Sequence, residues 1–188
     1  RLKIMDLSDG SAQPMIDSQL GLSLAFNGAI YNFPELRAEL EALGYAFYSG
    51  GDTEVLLKGY HAWGEALLPK LNGMFAFAIW ERDAKRLFIA RDRLGVKPLY
   101  LSRTGQRLRF ASALPALLKG GDISPMLDPV ALSHYLNFHA VVPAPRTLIA
   151  GIEKLPPATW MRIEADGTTE QKTWWTLPYG PHADEMDL

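Results

Sequence analysis

Apolar residues recur along this chain in two rhythms, one of period two and one near three and a half, broken by short polar turns. Residues 22–26 read as a strand. Asn32 then stands at a helix start, Pro34 suits the first turn, and Leu36, Leu40 and Leu43 follow at helical spacing until Gly44. Residues 45–48 predict a short strand. Asp52 opens a second helix in which Val55, Leu56, Gly59 and Tyr60 share a face, ending near Gly64. Residues 74–80 and 87–90 predict a hairpin turning at Arg82-Asp83. In its first strand Ala76 and Ala78 alternate with Phe75, Phe77 and Ile79, so one face is small enough for another layer to pack closely.

Further strands are predicted at 99–102 and 108–111. Beyond Ser112 come helices at 114–118 and from Asp128-Pro129 to about 138, a proline-rich loop at 141–145, and a hairpin of 159–163 with 168–174 around Asp166-Gly167. From Pro178 onward the chain reads as a polar linker.

Composition narrows the function. At 188 residues, 48% hydrophobic and 21% charged, the chain can bury one sizeable core. A net charge of −2 gives no basic footprint for nucleic acid. No run approaches the roughly 18 apolar residues of a membrane span. Cysteine is absent, which excludes disulfides and thiolate metal sites within these residues. His61, His134, His139 and His182 lack metal-ligand spacing, so no metal site is expected. The chain opens without Met inside an apparent strand, so a start partway into a domain is the expectation.

Asn27-Gly28 carries the most chemistry. Between apolar runs this dipeptide is a strong hairpin signal, yet a helix start follows within a few residues and leaves little room for a return strand. An Asn side chain beside a Gly backbone N–H is also a sound pair of oxyanion donors. Asp52, in Ser49-Gly50-Gly51-Asp52, can cap a helix or receive a ligand ammonium group. Ser-Gly-Gly lacks the Gly-Lys-Ser/Thr of a phosphate loop. Arg91-Asp92-Arg93 reads as a solvated connection of mixed charge, and Trp174-Trp175 as packing.

Together these stretches resemble the class II glutamine amidotransferase domain of the asparagine synthetase family. The matching segments are Arg1-Leu-Lys-Ile-Met-Asp6 with Gln13-Pro14, Asn27-Gly28-Ala-Ile-Tyr-Asn32, Asp52-Thr-Glu54, Leu71-Asn-Gly73-Met-Phe-Ala-Phe-Ala78, Arg91-Asp92 through Tyr100, Val142-Pro-Ala-Pro145-Arg-Thr and Lys154-Leu-Pro-Pro157. A closer likeness is to the bacterial branch of N-acetylglutaminylglutamine amidotransferases.

The resemblance implies an α+β N-terminal nucleophile hydrolase fold, an αββα sandwich of two antiparallel sheets, here without its first strand. It implies a glutaminase domain over residues 1–176 and a linker over 177–188 toward a synthetase domain that uses ATP and Mg²⁺. It further implies a cytoplasmic enzyme, allows a homodimer, and places the nucleophilic Cys ahead of Arg1, so the 188 residues alone should be inactive. By position, Arg1 would pair with the α-carboxylate of glutamine, Asp52 with its α-ammonium, and Ile4 and Met5 would make backbone contacts. Asn27 and Gly28 would form the oxyanion hole. Ala29 and Ala113 depart from the family, which commonly has Glu at both. The alternative is a non-catalytic glutamine-binding or scaffold domain of the same fold.

Overall fold

The computed structural model describes residues 5–6, 8–105 and 107–178, and these form nine strands and five α-helices. A larger sheet has the order β1-β2-β3-β4-β8-β9, all neighbours antiparallel. Its strands are β1 (Met15–Asp17), β2 (Leu22–Ile30), β3 (Gly73–Glu81), β4 (Arg86–Arg91), β8 (Thr159–Ile163) and β9 (Thr169–Thr173). A smaller sheet, β6-β5-β7, comprises β5 (Tyr100–Thr104), β6 (Arg107–Ala111) and β7 (Ile152–Lys154). The helices are α1 (Phe33–Ala42), α2 (Asp52–Trp63), α3 (Leu67–Lys70), α4 (Leu114–Lys119) and α5 (Pro129–Asn137).

The period-two pattern of β3 explains the layering. Phe75, Phe77 and Ile79 face α1 and α2, where they join Phe26, Ile30, Leu36, Leu40, Val55 and Leu56 in the main core. Ala76 and Ala78 face the other way and meet Ile89, Leu99, Leu101 and Leu155. Small side chains on that face let the second sheet approach, while the opposite face fills with rings. Helix α4 packs outside the smaller sheet through the buried Leu117. The order is therefore helices, sheet, sheet, helix.

One alternative falls away and two local expectations change. The hairpin alternative for Asn27-Gly28 does not form, because β2 runs straight through both residues and pairs with β3 from Leu22↔Glu81 to Ile30↔Gly73. Residues 45–48 are not a strand. Their backbone is used by α2 instead: the Tyr48 N–H donates to Glu54 at 3.1 Å and the Ala46 carbonyl accepts from the Lys58 ammonium, leaving little for a neighbouring strand. Asn32 holds the N-cap position of α1, but its side chain donates to the Lys70 carbonyl (2.9 Å) and accepts the Asn72 N–H (2.8 Å), tying the approach of β3 to the exit of β2.

The Arg91-Asp92 cluster is not solvated either. Both residues are buried. The Arg91 guanidinium donates to the carbonyls of Lys97 (2.7 Å), Leu155 (2.6 Å) and Gly95 (2.6 Å), and desolvation lowers its pKa. The Asp92 carboxylate accepts the N–H groups of Phe75 (3.1 Å), Leu94 (3.2 Å), Val96 (2.9 Å) and Lys97 (2.9 Å). Charges that read as surface are the internal fastening of the 92–98 loop, which explains how they can be buried.

Candidate functional site

The site grows from one edge of β2. Strand β1 pairs with β2 only as far as Met15↔Leu24, so beyond Leu24 that edge lacks a partner strand among the described residues. In an extended strand alternate N–H groups point to the same edge. The Phe26 N–H donates to Gln13 Oε1 at 2.7 Å, and the Ile30 N–H donates to Asp52 Oδ2 at 3.0 Å. Gly28 lies between them on the same alternation, about 7 Å of strand from each. Its N–H therefore points to the same edge, and no side chain among the described residues accepts from it.

Gly28 is also fixed by crowding. A Cβ there would sit 2.2 Å from the Met74 carbonyl oxygen, 2.7 Å from Phe26 Cε2 and 2.8 Å from Phe75 Cα. Two residues along the pair, opposite Ile30, a Cβ on Gly73 would come within 2.3 Å of the Ala29 carbonyl oxygen. The two glycines let β2 and β3 press together at this point.

Asn27 points to the other face of the strand. There a cavity of about 430 Å³ opens between the sheets, lined by Gln13, Asn27, Ala76, Pro98, Phe110 and Ser112 among others. Gln13 thus serves both places, completing the strand edge with its carbonyl and lining the cavity. Its contribution could be read from the sequence only by extending the β1 register two residues back from Met15 to face Phe26.

Asp52 is the first residue of α2, and Gly51 occupies the cap position. Its carboxylate reaches back to β2 and is buried. Desolvation raises its pKa, opposed by the N–H groups of Ile30, of Asp52 itself and of Thr53. The Ser49-Gly50-Gly51 turn beside it is held from both sides. Asp6 accepts from Gly50 N (3.1 Å), Ser8 N (2.8 Å) and Ser11 Oγ (2.6 Å). The Ser11 hydroxyl, the Ser8 contacts and the Gly50 N–H hold the Asp6 pKa well below the usual carboxylate range. From the helix side, Glu54 accepts from Ser49 N (2.7 Å) and Ser49 Oγ (2.6 Å) and pairs with Lys58. Met5, half-buried, immediately precedes Asp6. The structure thus brings Asn27, Gly28 and Asp52 to one end of β2 and runs the chain at Met5-Asp6 beside it. Arg1 and Ile4 lie outside the described residues.

The family described as "Glutamine amidotransferase domain" matches residues 1–175. This chain belongs to that family. Among its relatives, asparagine synthetase [glutamine-hydrolyzing] 1 of Bacillus subtilis is 40% identical over 188 residues, covering 100% of this chain and 29% of the relative. A putative asparagine synthetase [glutamine-hydrolyzing] of Mycobacterium bovis is 38% identical, covering 95% and 28%. The amidotransferase domain thus spans less than a third of these relatives.

Among solved structures, the glutamine phosphoribosylpyrophosphate amidotransferase of B. subtilis superposes with a TM-score of 0.59 at 22% identity, over 88% of this chain and 32% of that one. A glutamine aminotransferase class-II domain protein from Silicibacter pomeroyi gives 0.52 at 14% identity, over 89% and 72%. These neighbours share the fold, the N-terminal nucleophile hydrolase sandwich predicted above.

The Glu54–Lys58 pair gives the amidotransferase domain an acid-sensitive support. Burial, the largest single influence, pushes the Glu54 pKa up, but Lys58, Ser49 and the Tyr48 N–H together pull it below the ordinary value. Glu54 therefore stabilises the fold above the unfolded carboxylate pKa and loses that contribution as pH falls through its folded value. Lys58→Met will leave a buried carboxylate uncompensated, costing about 3–5 kcal/mol. Its acid unfolding midpoint, followed by tryptophan fluorescence, will shift toward neutral pH; an unchanged midpoint would rule out this role for the pair.

Proposed function

We propose that this domain hydrolyses glutamine to glutamate and ammonia within a longer, asparagine synthetase-like polypeptide. The carrying observation is the edge of β2, where the Gly28 N–H lies between two N–H groups already satisfied by Gln13 and Asp52. Attack on the side-chain amide carbon moves charge onto the amide oxygen. The Gly28 N–H and the Asn27 side-chain amide are the donors we assign to that oxygen. Asp52 would hold the substrate ammonium group. Burial destabilises the Asp52 carboxylate as an anion, and an ammonium partner relieves that cost. Arg1 would pair with the substrate carboxylate through its planar guanidinium, and the backbone at Ile4 and Met5 would complete the contacts.

The nucleophile would be a cysteine thiolate ahead of Arg1, since these 188 residues contain none. Ammonia would pass to a synthetase portion that uses ATP with Mg²⁺ to activate a carboxylate such as that of aspartate. The Ser49-Gly50-Gly51 turn does not fit the nucleotide. Its Gly50 N–H is taken by Asp6 and its Ser49 hydroxyl by Glu54, and with Asp52 beside them three carboxylates would face the phosphates. No ATP step is therefore assigned to this domain.

Glutaminase assays on the native polypeptide and on the 188-residue chain test the reading. The native polypeptide is expected to release glutamate and ammonia, and the 188 residues alone to release neither. Hydrolysis by the 188-residue chain would overturn the assignment of a cysteine nucleophile.

A further inference from the structure

Helix α5 spends its apolar residues in an unusual direction. From Met126 to Pro145 the only Asp, Glu, Lys or Arg is Asp128. Within this stretch Ala131 and Val142 are buried, whereas Leu136 is 73% exposed, Met126 69%, Val141 58% and Phe138 53%. At 100° per residue, Ala131, Leu132, Tyr135 and Leu136 fall on one side of the helix, and Ser133, His134 and Asn137 lie opposite. An apolar face ordinarily turns to a core, yet Tyr135 and Leu136 on this one are exposed.

The mounting of α5 is polar and firm. The Asp128 carboxylate accepts the Val130 and Ala131 N–H groups at 2.9 Å and the Arg146 guanidinium at 2.7 Å. The Asp128 N–H donates to the Leu148 carbonyl (3.0 Å), the Ala150 N–H to the Met126 carbonyl (2.8 Å), and Lys154 Nζ to the Val142 carbonyl (2.6 Å). The segment is thus held in place largely by polar ties at its base, while most of its large side chains stay uncovered. Uncovered apolar surface on a fixed element marks an interaction site.

We propose that α5, with Met126, Phe138 and Val141 beside it, is the docking surface for the remainder of the same polypeptide. The inference rests on the two-part reading above. More than two thirds of each asparagine synthetase relative lies outside the region this chain spans, so a large tethered partner would be present at high local concentration. A surface almost free of charge suits a permanent interface better than an exchanging one.

A photoreactive benzophenone amino acid placed at Leu136, and separately at Phe138, in the native polypeptide will read the occupant. Irradiation and peptide mass spectrometry are expected to find a link within one molecule to a peptide beyond residue 188, absent when the probe stands at the exposed Lys119. A link joining two copies, links confined to residues 1–188, or no link above the Lys119 control would each overturn the proposal. Thermal melts of the probe variants confirm that each is folded before irradiation. Glutamine hydrolysis measured on the same samples separates the two readings. Its absence would overturn the glutaminase reading and leave a cross-link beyond residue 188 standing.

Discussion

Asp52→Asn in the native polypeptide will lower kcat/KM for glutamine hydrolysis by about 30- to 4000-fold, the 2–5 kcal/mol typical of removing one partner of a buried charge pair. The fold will not suffer with it. The asparagine is isosteric, its side-chain oxygen still accepts the Ile30 N–H, and the cost of burying an anion disappears. The sign of the pH dependence follows from the raised pKa. Below the unfolded carboxylate pKa both proteins carry a neutral group and differ little in stability. As pH rises through the folded pKa, wild-type Asp52 ionises against the penalty of burial, so the variant gains relative to it. Denaturant unfolding at pH 4 and pH 7, set beside glutaminase kinetics, checks both halves. Retained hydrolysis, or a stability loss above about 1 kcal/mol, would show Asp52 to be structural.

Gly28→Ala will destabilise the domain by about 3 kcal/mol or more, a fall of roughly 6–12 °C in Tm for a chain of this size. The added methyl would meet the Met74 carbonyl oxygen at 2.2 Å and Phe75 Cα at 2.8 Å, and neither is the yielding end of a flexible side chain. β2 would have to move away from β3, carrying with it the edge that presents the Gly28 N–H. Gly50→Ala is the matched control, since the nearest atom to its Cβ, Asp6 Oδ2, stands at 3.9 Å. That change is expected to stay near wild type in stability. Equal melting temperatures for Gly28→Ala and wild type would show that the strands separate easily there, and would remove the crowding from the account of the site.

Gly28 shows how sequence and structure divide the information. Asn27-Gly28 stood out in the sequence, but its local signal favoured a turn, because a dipeptide carries no record of the strand beside it. The backbone of β3 requires the glycine, and β3 begins 45 residues later. Asp52 was legible as the start of a helix. That its carboxylate spans to Ile30, 22 residues back, was not. Residues 45–48 depart from the expected strand for a similar reason: aromatic residues favour a strand locally, but side chains of α2 satisfy the backbone there first.

By itself the sequence determined which face of a strand could take a neighbour. Period two in β3, with rings on one side and alanines on the other, leaves the alanine face open to close packing by another layer, and helical spacing with Asn32-Pro34 and Asp128-Pro129 places two of the helices; the two-sheet sandwich itself came from the family resemblance. Such patterns are legible because they are repeated within one element. Only the tertiary structure decided which polar groups are buried and what they hold. Arg91, Asp92, Glu54 and Gln13 each satisfy backbone groups on other segments of the chain, and a charge buried in that way looks, in sequence, the same as one left in water.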